Sequence, residues 1–121
     1  MNTSNNSDDL KNGALQIVYV TAPNREEALN IAKTVVGERL AACANLLDAV
    51  HSVYWWEGEI QEDTETVIIL KTRQESCGAL IERIKDLHSY DCPCVVALDL
   101  KGGNDDFLNW IVNETRQADS H

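Results

Sequence analysis

The sequence predicts an α+β fold, a ferredoxin-like βαββαβ sheet with an extra C-terminal helix and one long β-hairpin. Three features carry this reading. Apolar, β-branched runs alternate with two segments of helical periodicity, an acidic glycine turn joins two long strands, and a Gly-Gly pair precedes a last amphipathic segment.

Residues 14 to 22, "ALQIVYVTA", form a buried strand that stops at Pro23. Asn24 and Glu27 resemble a capping box, and Ala28, Leu29, Ile31, Ala32, Val35, Val36 and Leu40 recur at helical spacing, giving a helix over 25 to 39. Ala41 to Trp56 and "TETVIILKT" (64 to 72) make the two hairpin strands, with Glu57-Gly58-Glu59 as the turn. Cys77, Leu80, Ile81, Ile84, Leu87 and His88 line one face of a helix over 75 to 88. Pro93 precedes a fourth strand, "CVVALDL", and Asn104 or Asp105 can cap a final helix carrying Phe107, Leu108, Trp110 and Ile111. The elements amount to a single domain over 14 to 117 behind a disordered polar tail over 1 to 13.

Twenty Asp and Glu against ten Lys and Arg leave a formal charge of -10, which disfavours nucleic acid and favours cations or basic partners. No apolar run is long enough to cross a membrane, and the polar start has no apolar leader core, so a soluble cytoplasmic protein is expected. In that setting Cys43, Cys77, Cys92 and Cys94 are free thiols rather than a disulfide framework. There is no nucleophile elbow, phosphate loop or zinc-protease motif, so the chain is read as non-enzymatic.

The candidate metal ligands are His88, Cys92 and Cys94, a histidine and two thiols that would suit Cu(I) or Zn(II); the other reading is a helix-end histidine and two small buried hydrophobes. Cys43 and Cys77 fall in apolar patterns and belong to the core. The run Glu57, Glu59, Glu62, Asp63, Glu65 is either a weak site for hard cations or a solvated rim. Tyr54, Trp55 and Trp56 put aromatic rings on both faces of a hairpin of about 43 Å, longer than a compact domain of about 35 Å. "VIIL" and "CVVAL" are apolar on both strand faces, whereas helices of this fold cover one. A second copy of the chain is the economical cover.

These blocks, "VTAPNREEALNIAKTVVGERLAACANLL", "VYWWEGEIQEDTETVIILKT", "HSYDCP" and "FLNWI", resemble the CutA family of divalent-cation-tolerance proteins from about Ile17 to Glu114. The resemblance implies a homotrimer similar in architecture to PII signalling proteins, with the hairpins paired across subunits and Tyr54, Trp55 and Trp56 between them. It also implies weak binding of copper or another divalent metal. Members with proposed copper ligands carry a cysteine and a histidine pair where this chain has Val20 and Leu87-His88, so only His88 matches, while Cys94 stands where many members have glutamate. Lys71, Tyr90 and Trp56 would then share an inter-subunit cleft, where Lys71 either pairs with an acid or meets an anionic ligand. A PII-like small-molecule regulator is thus the alternative function, and a hub that docks partner proteins is a third.

Overall fold

A computed structural model describes residues 14–116; the tail expected over 1 to 13 and the last expected domain residue, 117, lie outside them. The elements follow the order expected from the sequence: β1 (Leu15–Ala22), α1 (Arg25–Gly37), β2 (Cys43–Trp56), β3 (Glu59–Arg73), α2 (Gln74–Leu87), β4 (Val95–Asp99) and α3 (Asp105–Arg116). The strands form one antiparallel sheet in the order β2-β3-β1-β4, the ferredoxin-like arrangement.

Local chemistry explains the boundaries. The side chain of Asn24 accepts the backbone N–H of Glu27 at 2.8 Å and opens α1 as the capping signature implied. Asn104 does the same for α3, accepting the N–H of Asp106 at 3.0 Å. The hairpin turn is two residues, Glu57 and Gly58, with φ of +52° and +82°; two consecutive positive φ values match the right-handed twist of the flanking strands. Glu59 therefore belongs to β3, which runs on through the acidic residues because β2 supplies every pairing partner there. α2 ends at Leu87, one residue short of the expected His88, whose backbone is extended.

One face of the sheet carries the main core. Val18, Val20 and Ala22 of β1 and Ile68 and Leu70 of β3 are buried against Ala28, Ile31 and Val35 of α1 and Leu80 and Ile84 of α2. Among the described residues the opposite face is covered at one end only: Leu108 and Ile111 of α3 close over Leu15 and Ala42. Beyond that patch Leu47, Val96 and Leu98 are exposed. Residues Glu59–Glu65 of β3 pair with β2 alone, since β1 ends opposite Thr66, so the hairpin overhangs its sheet by about 20 Å at ~3.3 Å per residue.

A β-bulge between Leu47 and Val50 reverses which side chains of β2 face which way. Before it, odd residues of β2 share the open face with odd residues of β3; after it, Val50, Ser52, Tyr54 and Trp56 take that face, opposite Glu65, Asp63, Gln61 and Glu59. His51, Val53 and Trp55 turn to the helix side. Asp48 of the bulge is tied to Arg25 of α1 at 2.8 Å, and Ala49 is held at φ +58°. Because a left-handed backbone costs a side-chain-bearing residue about 1 kcal/mol, Ala49→Gly is expected to raise stability by about 0.5 kcal/mol despite glycine's greater unfolded-state freedom. A lower urea midpoint for that variant at equal chain concentration would show that the bulge is unstrained.

Candidate functional site

Of the residues singled out in the sequence, His88 and Tyr90 lie where the β2–β3 arm leaves the sheet, with Lys71 toward the sheet centre and Trp56 at the far end of the arm. The loop after α2 is fastened at both ends to one residue. The Thr21 carbonyl accepts from His88 Nε2 at 2.7 Å, and the Thr21 N–H donates to the Cys94 carbonyl at 3.3 Å. Both groups of Thr21 point to the β4 side, so the loop replaces the strand partner that β4 would otherwise extend. Glu27 of α1 adds a third tie by accepting the Ser89 N–H at 2.8 Å.

His88 is fully committed by this arrangement. Its side chain is 0% exposed, Nε2 donates to Thr21, and Nδ1 accepts the Tyr90 N–H at 3.1 Å while lying 3.5 Å from a Glu27 carboxylate oxygen. The expected ligand set of His88, Cys92 and Cys94 is thus not assembled. Cys92 and Cys94 are exposed rather than the buried hydrophobes of the other reading, and among the described residues no group of three or more His, Cys, Asp or Glu is placed to hold a metal. The histidine's lone pair is used by the loop's own backbone, so the chain's residues do not fit a three-ligand centre here. Cys77 is buried, as expected for core, and burial pushes its thiol above the usual range, with Asp99 adding to the effect. Cys43 is half-buried.

The loop carries Tyr90 against the underside of the arm. Its ring lies 4.8 Å from that of His88, and its hydroxyl donates to Glu65 at 3.1 Å. Glu65 was counted in the sequence with the acidic rim, yet it is only 8% exposed. Tyr54 donates to Asp63, one step farther out on the same face, which raises the Tyr54 phenol above its ordinary value. Two phenols and two carboxylates thus form a row that ends at Trp56. Lys71 sits on this face nearer the sheet centre and donates to Asn45 at 2.6 Å; among the described residues it makes no ion pair.

Burial first, and the bond to Glu65 second, push the Tyr90 phenol from 10.0 up to about 12. A raised folded value means that the fold favours the neutral phenol, so this contribution is intact below pH 10 and is lost as pH rises toward 12. Tyr90→Phe is expected to lower stability by about 1 kcal/mol near pH 8, the worth of one hydrogen bond, and to flatten the alkaline decline. Urea denaturation of both proteins between pH 8 and 11.5 checks this; an unchanged alkaline slope would refute the role of Tyr90.

Comparison with known proteins bears on this geometry directly. The family model described as CutA1 divalent ion tolerance protein matches residues 16–114. The chain belongs to the CutA1 family. It is 48% identical over 101 residues to the divalent-cation tolerance protein CutA of Pyrococcus horikoshii, covering 84% of this chain and 98% of that one. Protein CutA 1, chloroplastic, of Oryza sativa subsp. japonica is 47% identical over 102 residues, 84% of this chain and 58% of the rice protein. The chain thus spans little more than half the length of that plant relative. The crystal structure of CutA1 from Oryza sativa has a TM-score of 0.82 at 47% identity, covering 85% of this chain and 94% of that one. A CutA structure from Archaeoglobus fulgidus, described as periplasmic, has a TM-score of 0.81 at 40% identity, over 84% and 98% of the two chains. Among the described residues of this CutA1 chain no helix is long and apolar enough to cross a membrane.

The tie through Thr21 and the burial of Glu65 were missed in the sequence. A periodicity signal reports only which face a residue shares, whereas both features depend on a loop folding back onto a strand far away in the chain.

Proposed function

We propose that this CutA1 chain works as a homotrimer in divalent-metal tolerance, copper included, without catalysing a reaction. The observation that supports it best is the apolar surface left on a folded subunit: Trp55 is 72% exposed, and Trp56, Ile60, Leu47, Val96 and Leu98 are each at least half exposed. Such a surface belongs to an interface, and three equivalent copies would shield it on both faces of the arm. Three chains would also gather three times the charge of -10. Hard divalent cations would associate weakly with the arm's exposed Glu57, Glu59 and Glu62 through oxygen ligands. The descriptions of the relatives as divalent-cation tolerance proteins support the same reading.

A second reading, regulation by a small molecule in the inter-subunit cleft, is favoured by the row of Tyr90, Glu65, Asp63 and Tyr54 beside Trp56, with Lys71 on the same face. Calorimetric titration of the trimer with Cu(II) and Zn(II), beside a panel of nucleotides and metabolites, separates the two. Metal heats abolished by Glu57→Gln/Glu59→Gln/Glu62→Gln support the first. Saturable metabolite binding lost in Tyr90→Phe, with no metal heat, replaces it by the second.

A further inference from the structure

We propose that Cys92 and Cys94 form a two-thiolate site for a soft monovalent d10 cation such as Cu(I), built on the clamped loop and independent of His88. The inference deepens the metal-tolerance reading, which it needs only for its use in the cell; the site itself stands on the chemistry of this loop.

Both thiols are free and exposed, in contrast to buried Cys77 and half-buried Cys43. They are separated by one proline, which fixes its own φ near -65° and disfavours a helical backbone at the preceding Cys92, where the chain bends. Cys94 is pinned by its carbonyl to Thr21, and Val95 enters β4 opposite Val20. A spacing of two residues, even drawn out at 3.1 to 3.3 Å per residue, keeps the Cα atoms within about 6.2 to 6.6 Å of each other. That lies within the reach of a disulfide, so the two thiols, free in this structure, must stay reduced for the site to form.

Two sulfurs bound end to end on one ion need to stand only about 4.5 Å apart, from two metal–thiolate bonds of about 2.3 Å. Rotation about the two Cα–Cβ bonds reaches that separation without moving the backbone. Digonal coordination by two soft thiolates suits a monovalent d10 ion and leaves a tetrahedral zinc ion two ligands short. His88 supplies no third ligand, because both of its ring nitrogens are used within the loop. Binding releases the thiol protons as each Cys–S⁻ bonds the ion, with no change of oxidation state.

The test uses the reduced full-length protein under nitrogen, with Cu(I) presented in competition with a chromophoric Cu(I) chelator, and Zn(II) titrated separately. One Cu(I) per chain is expected to leave the chelator. Cys92→Ser and Cys94→Ser should each weaken binding at least about tenfold, the double variant should abolish it, and zinc should bind at least about tenfold more weakly than Cu(I). Circular dichroism should be unchanged, since both side chains are exposed. Failure of the wild type to compete with the chelator, equal binding by the double variant, equal affinity for zinc, or one ion shared by two or more chains would each overturn the proposal. Loss of the divalent-cation heats in the acidic-arm variant, with Cu(I) uptake intact, would leave this site standing.

Discussion

Replacing Trp55 and Trp56 together with Ser is expected to destroy the assembly: at low micromolar concentration the wild type should sediment near three times 13.5 kDa, and the variant should be dissociated or aggregated. The two rings lie on opposite faces of the arm because successive residues of a strand point opposite ways, and the bulge places Trp56 on the open face and Trp55 on the helix side. Neither side is covered by the other described residues. Trp55 is 72% exposed and Trp56 57%, with Tyr54 and Ile60 beside them also exposed. Aromatic side chains bury 150 Å² or more each, so covering the exposed parts of the three rings would contribute about 6 kcal/mol per subunit at ~25 cal/mol per Å², before the entropy cost of association. Serine removes nearly all of the tryptophan share. The main core, from Val18 and Ile31 to Leu80, does not involve the arm. A variant that keeps the wild-type mass and dissociation behaviour would show that the tryptophans face a ligand rather than a neighbour, and a folded wild-type monomer near 13.5 kDa would overturn the assembly itself.

The difference between what the residues announced and what they concealed follows from the range of the interactions. Asn24 before an apolar helical stripe, Glu57-Gly58-Glu59 between two strands and the single face of α2 are local signals, each decided within a few residues, and all three were legible, although Glu59 proved to belong to β3. The bulge was not, because Ala49 gives no sign of a left-handed backbone; glycine or asparagine there would have. Its consequence is nonlocal: a strand that changes parity part-way puts Tyr54 and Trp56 in line with Asp63 and Glu65, whereas simple alternation leaves only the pairing of faces within β2 readable. The candidate metal set shows the same limit from the other side. The spacing of His88, Cys92 and Cys94 is plain in the sequence, but the use of both imidazole nitrogens by Thr21 and Tyr90 depends on how the loop returns to β1. Residue type and spacing propose ligands; hydrogen bonds already made decide which remain available.

Ile111→Ala should be the most damaging single substitution on the open side of the sheet, lowering stability by about 2 to 5 kcal/mol, the usual range for deleting a large aliphatic side chain from a packed site. Ile111 is fully buried in a small cluster with Leu15, Ala42 and Leu108, flanked by half-buried Leu100 and Val112, so among the described residues fewer neighbours can move in to fill the void than in the larger core. The described polar ties of α3 do not fill the space that the side chain leaves. Arg39 reaches Glu114 at 2.7 Å on the surface, where an ion pair is worth under about 1 kcal/mol, and Arg73 donates to Thr115 at 3.0 Å. Those ties depend on the helix staying docked, because Thr115 is itself positioned by a bond back to the Ile111 carbonyl at 2.8 Å. The expected result is therefore partial undocking: faster tryptic cleavage in α3 at Arg116, a lower urea midpoint at equal chain concentration, and a retained sheet whose other face still packs on α1 and α2. The trimer mass should survive at concentrations where the subunit is folded, since the exposed Leu47 and Val96 and the aromatic arm lie beyond the patch that α3 covers. A loss below about 1 kcal/mol would mean that the helix merely rests on the sheet, and loss of the trimer together with the helix would place α3 inside the interface.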